Sequence, residues 1–148
     1  MIDINNLTNY TVDKKKFSTV AKKVLSGENR LTENISLAFV GKKDIKNLNK
    51  KFRKKDKATD VLSFELKEEK HLGEIVICPE VVKENAKKYG NTFKDEMLKV
   101  FIHGILHLLG YDHEKSFGCS TGEAERQAEN MERKQEKYLP SQIKSKRF

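Results

Sequence analysis

The chain has 148 residues, enough for one hydrophobic core that takes roughly 68 to 70% of the unfolded surface out of water, and too few for two. It carries 30 Lys and Arg against 22 Asp and Glu, a net charge of +8, and no stretch approaches the ~18 apolar residues of a membrane span. The N-terminal MIDINNLTNYTVDKKK lacks the apolar run of a signal peptide, so a cytoplasmic protein without a membrane partner is expected.

Ile2 to Ile4 open the chain as a short strand. Asp13 to Leu25 then brings Phe17, Val20, Ala21, Val24 and Leu25 to one face of an amphipathic helix, which Ser26-Gly27 ends. Asn34 to Val40 alternates Ile35, Leu37 and Phe39 and reads as a strand; Lys43 to Phe52 carries Ile45, Leu48 and Phe52 at helical spacing. Val61 to Phe64 and Gly73 to Cys78 read as two further strands, paired antiparallel across ELKEEKHL, a segment polar enough to be an exposed loop. In that loop His71 reads as an ordinary exposed histidine. Pro79 suits the first turn of a helix that runs to Tyr89 and closes at Gly90-Asn91. Thr92 followed by Asp95 resembles a capping box for the next helix, whose Val100, Phe101, Ile102, Ile105, Leu106 and Leu108 are apolar nearly all round. A last helix spans Gly122 to Tyr138, with Ala124, Ala128, Met131 and Gln135 on one side and mixed charges on the other.

These elements predict an α+β fold: a single domain over residues 1–140, with a mixed sheet of about four strands packed against helices. A zincin-like metal helix is followed by a turn and a C-terminal helix. Residues 141–148 form a basic tail, expected to be disordered. Cys78 and Cys119 are too few and too dissimilar in setting for a disulfide framework and read as free thiols.

The charge is uneven. From Lys42 to Lys57 nine Lys or Arg residues face two acids, Asp44 and Asp56, so almost the whole excess lies in one segment. A single charge run is usually a solvated helix face, but a near-neutral body with one dense basic patch is the footprint expected for a polyanionic partner such as nucleic acid.

The chemistry concentrates in HGILHLLGYDH, where His103, His107, Gly110 and His113 keep the H-E-x-x-H-x-x-G-x-x-H spacing of metzincin zinc sites. Residues four apart on a helix share a face, so His103 and His107 converge, and a glycine at position 110 lets the chain turn back and bring His113 to the same ion. Three imidazoles leave a fourth position for water, the pattern of catalytic zinc. Three of the four histidines of the chain fall in this window, two of them on its most apolar helix, where unpartnered imidazoles would be costly to bury. One zinc ion is therefore expected, and Cys119 is not needed to complete its ligands. Gly104 stands where a peptidase has its glutamate, so the metal frame is present and the peptidase base is absent.

Three segments, LNKKFRKKDKATDVLSF (Leu48 to Phe64), LGEIVIC (Leu72 to Cys78) and HGILHLLGYDH, give the chain a close resemblance to the YbeY family of bacterial metal-dependent endoribonucleases. It departs mildly: Phe52 stands where tyrosine is more usual, Ala58 where proline is, and Glu74 where aspartate is common. The resemblance implies zinc on His103, His107 and His113, and cleavage of single-stranded RNA in maturation of the small-subunit ribosomal RNA 3′ end. It further implies a role in ribosome quality control, with the small subunit and its assembly factors as partners. It implies a functional Arg53, whose guanidinium can hold a phosphate by two parallel hydrogen bonds, with Lys54, Lys55 and Lys57 beside it on the RNA. Thr59, Asp60 and Ser63 also match the family; Asp60 reads better as a turn or strand-edge cap than as a reacting group. Asp112 reads either as an acceptor that orients a ligand histidine or as a residue that holds the turn.

Two other readings compete. A metal-stabilised RNA- or ribosome-binding module would melt on metal loss yet turn nothing over. A metallopeptidase has the ligand spacing but lacks the proton acceptor, a loss worth about 10²- to 10⁴-fold.

Overall fold

Four strands, Ile2–Asn6 (β1), Asn34–Phe39 (β2), Val61–Glu68 (β3) and His71–Ile77 (β4), form one sheet in the order β1-β2-β4-β3. The computed structural model describes residues 2–111 and 121–139, and of residues 67 and 121–129 the backbone alone. β1 and β4 run parallel to β2, whereas β3, an edge strand like β1, pairs antiparallel with β4. The helices described are Lys14–Gly27 (α1), Lys42–Arg53 (α2), Pro79–Tyr89 (α3), Phe93–Leu108 (α4) and Thr121–Tyr138 (α5). The chain is thus an α+β domain with a mixed four-stranded sheet, as its patterning predicts. The basic tail lies outside the described residues.

Alternation along the strands separates two apolar layers. Ile35, Leu37, Phe39, Ile75 and Ile77 pack with α1 and α4, and Phe17 sits edge-on to both Phe39 (5.3 Å) and Phe101 (5.2 Å between centroids). Leu62, Val76 and Cys78 pack with Ile45 of α2 in a second cluster. Cys78 is a fully buried free thiol, and burial pushes its pKa up, so it is an inert core residue. Asp13 caps α1 by accepting the Lys16 N–H, and the Thr92 hydroxyl accepts the Asp95 N–H at 3.1 Å at the start of α4.

The polar ELKEEKHL segment differs from its predicted loop. β3 continues to Glu68 and β4 begins at His71, leaving only Glu69 and Lys70 to turn, with Lys70 at φ 62°. The pairing is antiparallel as expected, but the polar residues are ladder residues of an edge strand, where charge is tolerated because one side faces water. His71 is accordingly a half-buried strand residue, its Nε2 3.3 Å from the Ser36 hydroxyl on β2, and not an exposed loop histidine.

Candidate active site

Among α4's apolar residues, His103 and His107 are half-buried and share one face, their rings 4.7 Å apart and at 76° to each other. The Nδ1 of His103 lies 3.1 Å from Oε1 of Gln135 on α5. An amide oxygen only accepts, so this contact suits a proton on Nδ1, the tautomer in which Nε2 carries the lone pair that a metal would take.

Gly104 is fixed by the sheet beneath. A Cβ there would meet Ile75 Cγ2 at 3.0 Å, Ser63 Oγ at 3.2 Å and Ile75 Cδ1 at 3.3 Å, and the Ser63 hydroxyl donates to the Gly104 carbonyl at 3.2 Å. A glutamate at this position would start into packed sheet. After Leu108 the helix closes through a Schellman motif: Gly110 at φ 101° donates to the His107 carbonyl (3.0 Å), and Tyr111 to that of Leu106 (3.0 Å). Gly110 thus makes the turn expected of it. His113, Asp112 and Cys119 lie outside the described residues. Among the described residues no three candidate ligand side chains converge, and His103 with His107 supplies two of the expected three.

Both histidines open onto a cleft of about 430 Å³ between α4 and the start of β3. Arg53, at the C-terminus of α2, lines the same cleft, together with Lys55, Lys57 and Lys99. Asp60 and Ser63 form part of its wall. A pair of imidazoles therefore shares one cavity with an arginine and three lysines, of which Lys99 stands one turn before His103 on α4 itself.

A family model described as endoribonuclease YbeY matches residues 3–142. The chain belongs to this family. The endoribonuclease YbeY of Thermotoga petrophila is 43% identical over 126 residues, which covers 85% of this chain and 75% of that relative. The one from Thermosipho melanesiensis is 39% identical over 132 residues, 89% of this chain and 92% of that relative. The solution structure of TM1509 from Thermotoga maritima superposes with a TM-score of 0.67 at 36% identity, covering 99% of this chain and 91% of that one.

Within this YbeY-family cleft the expected basic residues separate. Arg53, Lys55 and Lys57 line it, but Lys54 does not: it takes the left-handed conformation (φ 58°) that ends α2, which parts it from its neighbours. The Asp60 carboxylate accepts the Val61 N–H at 2.8 Å and the Thr59 hydroxyl at 3.3 Å, while its carbonyl accepts the Cys78 N–H, so its bonds are those of a strand-edge cap.

Several groups escaped the sequence reading. Glu96 is buried at 4% exposure, lines the cleft and accepts the Asn91 amide at 2.9 Å. Its position seven residues before His103, two turns up the same stripe, was the available signal. Asn49, also buried, donates to the Lys57 carbonyl at 2.9 Å and so holds the loop that presents Lys57. Glu28 accepts the Tyr111 hydroxyl at 2.6 Å, Lys134 at 3.1 Å and the Tyr138 hydroxyl. This one carboxylate therefore ties the end of α1 to the chain two residues before His113 and to the residue beside Gln135. Burial raises the Glu28 pKa, but the hydrogen bonds from Tyr111, Tyr138 and Lys134 outweigh it and hold the carboxyl below its ordinary value. Burial and the same carboxylate push Tyr111 up to about 12 and Tyr138 higher.

Proposed function

We propose that this chain is a zinc-dependent endoribonuclease that cuts single-stranded RNA, acting in the cytoplasm on the 3′ end of the small-subunit ribosomal RNA and in ribosome quality control. One observation carries the reading: Arg53 and the two histidines line a single cleft, although 50 residues and different elements separate them. The donor set fits zinc. His103 and His107 would hold the ion with His113, and the Gln135 contact supports the reading because it would orient one of them. Such an ion supplies Lewis acidity, bringing the ionisation of water from far above neutrality towards ~pH 7.

The remaining work falls to the side chains of the cleft. Arg53 presents a planar fork that matches two oxygens of a phosphodiester and stabilises charge accumulating on them. Lys55, Lys57 and Lys99 draw the flanking backbone into the cleft. The packing of Ile75 against Gly104 counts against a peptidase, because the position of the peptidase base is filled by sheet.

Purified protein should cleave single-stranded RNA, and His103→Ala or Arg53→Ala should abolish the cleavage. Equal cleavage by all three would assign the activity to a contaminant. Metal-dependent melting with no turnover would instead identify an RNA-binding module braced by its ion.

A further inference from the structure

Phe52 is 57% exposed, one residue before the arginine of the cleft. A lone exposed apolar side chain is ordinary on a protein surface. This one is held in place: Phe64 of the edge strand β3 packs against its ring edge-to-face, with centroids 5.3 Å apart and planes at 64°. The Lys51 ammonium lies over the ring, 5.3 Å from its centroid. The core does not require the ring, because Ile45 already anchors α2 to the sheet at 0% exposure.

We propose that Phe52 is a stacking platform for one nucleobase of a single-stranded RNA whose adjacent phosphate is held by Arg53. The proposal rests on the RNA reading above and adds a base-binding subsite to it. Charge complementarity selects the occupant: the ring stands inside the segment where nine Lys or Arg residues face two acids, so a polyanion's backbone is drawn past it. Every base has a π-face, so the platform tolerates any sequence; it discriminates between forms of RNA, since only unstacked bases offer that face. Lys51 sharpens the fit, because its ammonium can leave the ring for a phosphate as a base arrives.

The test uses the full chain and a short single-stranded oligoribonucleotide carrying 2-aminopurine, mixed by stopped flow so that binding is read before the strand is cut. Stacking on the wild type should quench the fluorescence. Phe52→Tyr should keep the quench, while Phe52→Leu should lose it and bind ~5- to 150-fold more weakly, the range for removal of one base–aromatic stack. The slope of log affinity against log salt should be the same for both, since no phosphate contact has been removed. Quench and affinity unchanged in Phe52→Leu would overturn the platform and leave the RNA reading standing. Failure of the wild type to bind the oligoribonucleotide would overturn both.

Discussion

Gln135 reaches across from α5 to His103, with its Oε1 3.1 Å from Nδ1, and so joins α5 to α4 at one ring nitrogen while Nε2 lies on the other side of the ring. Orienting acceptors of this kind typically contribute 10- to 100-fold, roughly, to metal affinity. Gln135→Leu should therefore lower zinc affinity by about that factor, read by competition with a chromogenic chelator, while Gln135→Glu, still an acceptor, should retain it. Unchanged affinity in Gln135→Leu would reduce the contact to helix packing.

Gly104 lies against Ile75 and Ser63, which a Cβ there would meet at 3.0 to 3.3 Å. An alanine there gains about 1 kcal/mol of helix propensity and meets an overpacking cost of about 1 to 3 kcal/mol, so the net effect should be a small loss. Gly104→Glu must also bury a carboxylate among apolar atoms. It should lower the denaturation midpoint well beyond Gly104→Ala and confer no peptidase activity. A stable Gly104→Glu protein that releases new N-termini from casein would reverse the argument.

Legibility in the sequence followed the range of the interactions. The buried faces of α1 and β2 and the closing turn at Gly110 depend on residues a few positions apart, and period and glycine chemistry reveal those. The extension of β3 to Glu68 was hidden because an edge strand with one wet side carries the composition of a loop. Gln135, Glu28 and Asn49 were hidden for another reason. Each acts on a residue brought near only by the tertiary fold or by a loop, and the spacing of the chain does not encode who will meet whom.

Arg53 and its neighbours should separate experimentally as they separate in space. Arg53→Lys keeps the charge and loses the two-pronged phosphate grip, so cleavage should fall, by about 10²- to 10³-fold if the guanidinium acts on the reacting phosphate. Lys55→Ala and Lys57→Ala should each weaken RNA binding and reduce the salt slope by about 0.7. Lys54→Ala, outside the cleft, should do neither. Filter binding over a salt series measures the three lysine variants and single-turnover cleavage the arginine one, and a Lys54 effect equal to that of Lys55 would show that RNA follows another path.

Glu28 should make stability depend on pH at the acid end. Its folded pKa lies below the ordinary carboxyl value of 4.5, so its contribution is fully present above that value and is lost as pH falls through the folded pKa. At the alkaline end the raised tyrosines work in the opposite sense. Their contribution is full below the ordinary value of 10 and is lost as pH rises towards the folded pKa, about 12 for Tyr111. Glu28→Gln should cost about 1.5 to 3 kcal/mol at neutral pH, the range for a hydrogen bond to a charged group, since the amide no longer offers a charged acceptor to Tyr111, Tyr138 and Lys134. The gap between wild type and variant should then narrow below pH 4.5, where the wild-type carboxyl begins to take up its proton. Urea midpoints across a pH series test this. A gap that stays constant down to full protonation would mean that the carboxylate's charge contributes nothing to holding α1, Tyr111 and α5 together.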